Sequence, residues 1–324
     1  MAAAVVLATL TAACSGTTAD RSIAPSTAAT DPAENAVAVV LEQNFPDPDV
    51  LRVGDTYYAY ATQANDGSVN VQMATSSDLQ TWRAEVMDPL PELPTWATNG
   101  RTWAPDVSAV PGGFVMYFTA HSIDPDRQCI GVARSASPTG PFRPVGKGPL
   151  VCPASQGGAI DAASFVDEDG SRYVLWKNDG NCCGKDTWLQ IQPASRDGLR
   201  LTGPPVRLAK QTEPWEGSLV EAPTLVRHND TYVLLYSAND YGGDAYATGY
   251  ARSTQLLGPY EKGVEPLMTT ESVGVSGPGG QDVVAGLDGE SRILFHGWDG
   301  AYVARYMHAA PLTWRDDIPM VATE

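Results

Sequence analysis

Five short motifs, each containing an acidic residue, recur along the chain at nearly constant spacing. Successive acidic residues lie roughly 55 to 61 positions apart, which is the length of a supersecondary repeat. Each motif is followed by a strand-like run rich in β-branched and aromatic residues, such as residues 231–236. Five equal units of this kind predict a ring. The acidic residues are Asp47, Asp106, Asp161, Glu221 and Asp282.

Each unit continues with a further strand and a turn, and two units end in a Gly-Pro-aromatic sequence at Gly140-Pro141-Phe142 and Gly258-Pro259-Tyr260. A four-stranded unit cannot bury both of its faces alone, so such units pack side by side around a central axis. The predicted fold class is therefore all-β, a five-bladed β-propeller. Motifs that begin the innermost strands would face the axis, where carboxyl groups more than a hundred residues apart can meet.

Three of the acidic residues, Asp47, Asp161 and Glu221, are predicted to occupy corresponding positions in three blades. Asp161 lies within an apolar run at residues 159–165, and Glu221 precedes one at residues 222–226. Taken singly, a dipeptide such as Asp47-Pro48 is more often a turn signal than a catalytic feature. A buried carboxyl is nevertheless costly unless it is hydrogen-bonded or functional. We therefore predict one site built from the carboxyl groups of Asp47, Asp161 and Glu221.

The charge of the chain narrows the class of ligand. The formal net charge is −17, and no block of basic residues interrupts it. A nucleic-acid partner is not expected, and neither is a surface held to anionic lipid by charge. A neutral ligand such as a sugar is compatible with this charge. The sequence contains 31 glycines and 25 prolines, and turn signals of this kind between strand-like segments also fit a single β-rich domain.

The amino terminus has the features of an export signal. Residues 1–14 are apolar, too short to span a bilayer, and end in small residues. The residues before Cys14 resemble a bacterial lipoprotein processing site, although no Lys or Arg precedes them and Thr11 stands where Leu is usual. Lipidation of Cys14 and simple cleavage therefore both stay open. Residues 15–36 are predicted to be a disordered linker, and residues 37–324 to form the propeller domain.

From this organisation we expect a monomer that is either secreted or, if Cys14 is lipidated, held at the cell envelope by that anchor alone. The remaining cysteines are Cys129, Cys152, Cys182 and Cys183, an even number in an exported chain, which predicts one or two disulfides. We expect Cys129 to pair with Cys152, because adjacent cysteines rarely bond each other. The absence of a Cys-x-x-Cys pair or a histidine cluster argues against zinc.

The opening run from Phe45 through Tyr58 is similar to the first-blade signature of glycoside hydrolase family 43, and the resemblance extends from about Asn44 to Pro319. It implies a five-bladed propeller and hydrolysis of glycosidic bonds with inversion. By this resemblance Asp47 matches the general base, Asp161 the residue that orients the acid and raises its pKa, and Glu221 the general acid. No cofactor is required for this chemistry.

Inverting hydrolysis needs a carboxylate and a carboxylic acid roughly 6.5 to 9.5 Å apart, so that a water fits beside the sugar. Opposite blades across a propeller mouth can provide that gap. For Glu221 to hold a proton near neutral pH, its charged form must be disfavoured. An ionised Asp161 nearby, together with partial burial, would have that effect.

Five further residues are candidates for binding substrate or metal. Trp103 and Asp106 begin one blade, and Trp103 is either a sugar-stacking platform or a core side chain. Arg305 matches an arginine that points into the innermost sugar site, although a surface position is the rival interpretation. His296 matches a channel histidine beside a calcium or other ion held mainly by waters, whereas a lone His is more often structural. Gln281 is a substrate-binding candidate at a position where the family usually has another pair.

Several alternatives stay open at this stage. The fructan-cleaving propellers are excluded, because neither their Asn-Asp-Pro-Asn motif nor their Glu-Cys motif occurs. A glycan-binding propeller without catalysis is the main rival, but a lectin has no need of three acids in one pocket. Within the family, an arabinofuranosidase or arabinanase is favoured over a β-xylosidase or galactan-acting enzyme, because no β-sandwich follows the repeats. Residues 89–102 are expected to wall one end of the pocket.

Overall fold

The computed structural model describes Met1, Ala2, Ala4 and residues 36–322. Cys14, nearly all of the predicted signal segment and the predicted linker up to residue 35 lie outside the described residues. Among the residues that are described, no helix is both long and apolar enough to cross a bilayer. The first strand, β1 (Ala38–Leu41), follows directly after the start of the second described range.

Four antiparallel sheets of four strands each follow along the chain, and each sheet is built from consecutive strands. Blade 1 contains β2 (Asp49–Val53), β3 (Thr56–Ala61), β4 (Gln72–Ser76) and β5 (Arg83–Ala84), and blade 2 contains β6 (Ala97–Val110), β7 (Gly113–Ser122), β8 (Arg127–Ser135) and β9 (Arg143–Pro144). Blade 3 contains β10 (Ala159–Val166), β11 (Arg172–Asn178), β12 (Trp188–Ala194) and β13 (Val206–Lys210), and blade 4 contains β14 (Val220–His228), β15 (Thr231–Ala238), β16 (Ala247–Ser253) and β17 (Glu261–Lys262).

Blade 5 joins the two ends of the described domain. It contains β18 (Ser276–Ala285), β19 (Ser291–Trp298), β20 (Arg305–Arg315) and, as its fourth strand, β1 from the other end of the chain. A last strand, β21 (Ile318–Val321), pairs with the end of β20. The described helices are one short α-helix, α1 (Thr270–Val273), and 3₁₀ turns at Ala154–Gln156, Gly180–Cys183 and Pro214–Glu216.

The blades form a closed ring. Their first strands contact one another in the order β2, β6, β10, β14, β18 and back to β2. Apolar side chains fill the spaces between neighbouring blades, as Met73 and Phe118 do between blades 1 and 2, and Leu175 and Leu234 between blades 3 and 4. The predicted five-bladed β-propeller is therefore confirmed, and the burial of apolar faces between blades is what holds the ring together.

Each blade has the same backbone irregularity in its innermost strand or, in blade 1, just before it. One residue per blade adopts a positive φ of 39° to 57°, at intervals of 57, 57, 61 and 58 residues. In blades 2 to 5 this residue lies at a β-bulge in the pairing with the second strand. A bulge re-aims side chains locally, here at the end of the strand nearest the axis. The five residues are Asp47, Ala104, Asp161, Ala222 and Gly280.

This backbone register corrects the sequence alignment of the motifs. Asp47 and Asp161 are equivalent, as predicted, but Asp106 and Asp282 lie two residues after the positive-φ position and correspond to Asp49. Glu221 lies one residue before it. The acidic residues therefore do not all occupy the same position in the repeat. The repeated feature is the positive-φ residue, not the acidic residue.

The structure contains two cysteine pairs, of which one was predicted. Cys129 on β8 is paired with Cys152, as expected. Cys182 and Cys183 are also paired, in the 3₁₀ turn after β11. The expectation that these adjacent cysteines do not bond each other is therefore wrong, and the turn geometry between β11 and β12 is what brings the two sulfurs together.

Candidate active site

One cavity of about 640 Å³ opens at the axis, where the innermost strands begin. Its walls come from all five blades, since every blade presents its positive-φ residue there. The segment at residues 89–102, expected to wall the pocket, does not line it, because Trp96 is buried against Phe118. The predicted site residues that line the cavity are Asp47, Trp103, Asp106, Asp161, Glu221, Gln281 and Arg305.

Asp47 is held by groups that favour its ionised form. The Thr62 hydroxyl donates a hydrogen bond of 2.6 Å to Oδ2, and the Arg305 guanidinium lies 3.4 Å from Oδ1. The Nδ1 atom of His296 lies 3.2 Å from the same oxygen. Burial alone would raise the pKa of Asp47, but the Arg305 charge and the Thr62 hydroxyl act against it, and that pKa lies well below its usual range.

Glu221 lies across the blade 3 to blade 4 boundary from Asp161, and both of its oxygens are bonded. The Tyr246 hydroxyl donates to Oε1 at 2.9 Å, and the Lys177 ammonium donates to Oε2 at 2.9 Å. Asp161 accepts the backbone N–H of Ala222, the residue after Glu221, at 2.9 Å. The two carboxyl groups are therefore fixed relative to each other through the backbone of β14.

The pKa of Asp161 lies above its usual range. Burial and then the neighbouring Glu221 charge raise the pKa of Asp161 to about 8, although Lys177 and the Ala222 amide act in the opposite direction. The sequence had suggested an ionised Asp161 beside a protonated Glu221. The reason for the difference at Asp161 is its burial. Lys177 stays charged, because the three carboxyl groups around it raise its pKa despite its burial.

The five positive-φ residues present a set of backbone N–H groups, which we name the inner amide ring. In four blades, a neutral side chain on the second strand of the preceding blade accepts this N–H, in blade 5 with His296 as the Nε2-protonated tautomer. The bonds are Ala104 to Thr62 at 2.9 Å, Asp161 to Thr119 at 3.2 Å, Gly280 to Ser237 at 2.9 Å and Asp47 to His296 at 3.1 Å. These acceptors occupy equivalent positions, opposite the residue that precedes each bulge.

A second ring of carboxyl groups lies two residues further along the inner strands. Asp49, Asp106 and Asp282 each accept a backbone N–H of the next blade at 2.8 Å. Burial raises all three pKa values, that of Asp106 to about 6 and that of Asp282 to about 7. Asp106 therefore fastens blade 2 to blade 3. Its part in binding substrate stays a prediction.

Other predicted substrate residues differ in how far they are free to bind. Trp103 is half-buried and lines the cavity, which leaves part of its ring accessible. The Gln281 amide is already engaged, donating to Ala222 O and accepting from Ser237 at 2.8 Å each. The Arg305 guanidinium lies between the rings of Tyr241 and Trp298, 5.1 and 5.6 Å from their centroids. Their contacts with substrate stay predictions.

His296 lies directly behind Asp47 and is fully buried. Its Nε2 atom is 3.4 Å from the Arg305 guanidinium, and its ring stacks on Tyr246. Burial and then the Arg305 charge lower the pKa of His296, so the ring is neutral. Only glycine fits opposite it, because a Cβ at Gly280 would lie 2.5 Å from Nδ1.

These contacts leave no ring nitrogen of His296 pointing into open space. Among residues 36–322, no group of three or more His, Cys, Asp or Glu side chains is placed to hold a metal ion. The calcium expected from the family resemblance therefore has no cluster of protein ligands here. An ion held by waters stays a prediction, and no chemical step below depends on it.

Three residues of the site carried no clear sequence signal. Lys177 ends an apolar strand, Tyr246 lies in a Gly- and Asp-containing loop, and Asp179 precedes the paired cysteines. All three line the cavity. The only available clue was the unusual lysine at the end of a strand that otherwise reads as core.

Comparison with known proteins places the chain among carbohydrate hydrolases. The family model for glycosyl hydrolases family 43 matches residues 36–319. A candidate beta-xylosidase of Xylanibacter ruminicola is 27% identical over 287 residues, which cover 86% of this chain but only 49% of that protein. An extracellular endo-α-(1→5)-L-arabinanase of Bacillus subtilis (strain 168) is 25% identical over 274 residues, covering 79% of this chain and 81% of that enzyme.

Solved structures give the same result. The crystal structure of a thermostable family-43 glycoside hydrolase aligns with a TM-score of 0.76 and 28% identity. The alignment covers 87% of this chain and 94% of that one. The fold and the sequence therefore point to the same family.

Proposed function

This chain belongs to glycosyl hydrolases family 43, and we propose that it is an inverting hydrolase of terminal or internal α-L-arabinofuranosyl linkages in plant-type or cell-wall polysaccharides. The single observation that carries the proposal is the grouping of Asp47, Asp161 and Glu221 around one cavity of about 640 Å³. That volume suits a ligand of a few sugar units. The extracellular arabinanase relative supports both the sugar and export of this chain.

In the proposed reaction, Asp47 is the general base. Its lowered pKa keeps it ionised, and its contacts with Thr62 and Arg305 fix the carboxylate so that it can take a proton from an attacking water. Glu221 gives a proton to the leaving glycosidic oxygen. Asp161 accepts the backbone N–H of Ala222, the residue after Glu221, and so fixes the carboxyl group that delivers this proton.

The test is release of sugar by the full chain from a panel of arabino-oligosaccharides, linear arabinan, xylo-oligosaccharides, galactan and an aryl α-L-arabinofuranoside. We expect cleavage of the arabinose-containing members, with the anomeric configuration inverted in the first product seen by proton NMR. Cleavage confined to xylo-oligosaccharides would instead favour the β-xylosidase alternative, which the Xylanibacter relative supports.

Glu221→Gln tests the role of the acid. We expect it to lower kcat on oligosaccharides by about 10² to 10⁴-fold, the usual contribution of acid catalysis. The loss should be much smaller on the aryl furanoside, because a phenolate leaves without protonation. Glu265→Gln, a matched change at an exposed glutamate, should be silent. Binding of glycans without cleavage by the wild type would refute the hydrolase and leave a glycan-binding propeller.

A further inference from the structure

Blade 3 breaks the pattern of the inner amide ring. In blade 3, Lys177 occupies the position that holds Thr62, Thr119, Ser237 or His296 in the other blades. Lys177 pairs with Ile160, immediately before the bulge. A lysine ammonium is a donor only and cannot accept a backbone N–H. The Ala222 amide, which would be orphaned, is accepted by Asp161 Oδ2 at 2.9 Å instead.

The side chain of Lys177 is fully buried, and it is surrounded by carboxyl groups. Its Nζ atom lies 2.9 Å from Glu221 Oε2 and 3.9 Å from Asp179 Oδ1. Burying an ammonium is costly unless it is paired and hydrogen-bonded. A threonine or serine at this position would satisfy the fold without that cost, as it does in three other blades. The exchange of an acceptor for a buried cation therefore has no structural benefit in the ring.

The benefit of a lysine at position 177 lies instead in the candidate active site. One substitution in the repeat places a positive charge on Glu221 and, by removing the usual acceptor, turns Asp161 towards the Ala222 amide beside it. We propose that Lys177 is a positioning residue that orients Glu221 and sets the charge of the Asp161–Glu221 pair. This inference rests on the proposed function, because it gives a role to Lys177 in the same reaction.

The charge of the pair depends on every ionisable group that faces it. From blade 3 these are Lys177 and Asp179, from blade 4 the Tyr246 hydroxyl, and across the cavity Asp47 with His296 and Arg305 behind it. Of the two cations, Lys177 is the one bonded to Glu221, whereas Arg305 contacts Asp47. Removing Lys177 should therefore change the titration of the acid and leave that of the base unchanged.

Lys177→Thr is the decisive variant, because threonine is the residue that blades 1 and 2 use at this position. We expect it to fold with a melting temperature close to that of the wild type, and to lower kcat by about 10²-fold through misplacement of Glu221. The alkaline limb of the kcat/KM profile should move upward by about 1 to 3 pH units, because an opposite charge at this distance normally lowers a carboxyl pKa by that amount.

Lys177→Met, which keeps the length of the side chain, should show the same upward shift. Lys210→Met, which removes a partly exposed lysine bonded to Asp186, should leave the profile unchanged. An alkaline limb at its wild-type position in both Lys177 variants would overturn the proposal, whatever happens to kcat. Unfolding of both variants would also overturn it, because position 177 must tolerate a neutral side chain.

A carboxyl carbon-13 NMR titration separates this inference from the proposed function. The Asp161 resonance is assigned by its loss in Asp161→Asn, and its midpoint is compared in the wild type and Lys177→Thr. A higher midpoint in the variant supports the charge effect even if no member of the sugar panel is cleaved. Activity without any change in this midpoint would support the hydrolase and refute the role of Lys177.

Discussion

Replacing Thr62 by valine tests whether the inner amide ring stabilises the fold and the candidate base together. Valine keeps the shape of threonine but removes the hydroxyl, which accepts the Ala104 N–H at 2.9 Å and donates to Asp47 at 2.6 Å. Thr119→Val is the matched variant, because the Thr119 hydroxyl accepts the Asp161 N–H at 3.2 Å and has no recorded bond to a carboxylate. The difference between the variants isolates the bond to Asp47.

The expected magnitudes follow from these contacts. An unpaired buried amide costs about 1 to 3 kcal/mol, so each variant should lose that much free energy of unfolding. Thr62→Val should lose an additional ~1.5 to 3 kcal/mol, because hydrogen bonds to charged groups contribute that much. The extra loss should be the same at pH 5 and pH 7. Asp47 has a lowered pKa in the folded state, so the stabilisation is present above the usual aspartate pKa and disappears only as the pH falls below it.

The measurement is urea denaturation followed by tryptophan fluorescence with the disulfides intact, comparing midpoints at equal m-values. Equal losses for Thr62→Val and Thr119→Val would show that the bond to Asp47 does not stabilise the fold. Losses below about 0.5 kcal/mol in both would refute the ring as a stabilising feature, because that is the size of an ordinary surface substitution.

Two further predictions concern buried charge. The pKa values of Asp161, Asp282 and Asp106 are raised to about 8, 7 and 6. The folded state therefore keeps protons that the unfolded state releases above about pH 4. As a result, the free energy of unfolding should fall from pH 5 to pH 8. Asp282→Asn, which keeps the acceptor for Val50, should make this fall shallower, and an unchanged slope would contradict the assignment. Glu216→Gln should cost about 3 to 5 kcal/mol in thermal or urea unfolding, because it leaves the Lys262 ammonium, 2.7 Å from Oε2, without its buried partner. The double variant with Lys262→Met should recover part of that loss, and no recovery would indicate that lost packing, not the unpaired charge, is the cause.

The repeat was sufficient to predict the architecture because period and strand pattern survive in all five units. It also predicted that Asp47, Asp161 and Glu221 meet at one cavity, since residues near the start of an inner strand lie close to the axis. The exact position of each acidic residue within its repeat was not predictable in the same way. Asp106 and Asp282 were aligned with Asp47, although they correspond to Asp49, because a shift of two residues changes the spacing by less than the repeats themselves vary in length.

Side chains that complete the site were missed for a different reason. Lys177 follows an apolar strand, where a lysine normally marks the point at which the strand reaches solvent. Its burial depends on the boundary between blades 3 and 4, which only the closed ring creates. Tyr246 is similar, because its hydroxyl reaches Glu221 from a loop whose path follows from packing against blade 5 and His296.

Alignment of the repeats by backbone conformation makes such residues recognisable. At the position that accepts the inner amide, Thr62, Thr119, Ser237 and His296 are chemically different, yet each offers a lone pair to the next blade. Their shared role sets what the fold requires there, so Lys177 stands out as a departure that the fold alone does not explain. The departure lies beside two of the carboxyl groups to which the proposed reaction assigns its chemistry. Within a ring of equivalent units, the residue that fails the structural requirement of its position is therefore the one whose function should be tested first.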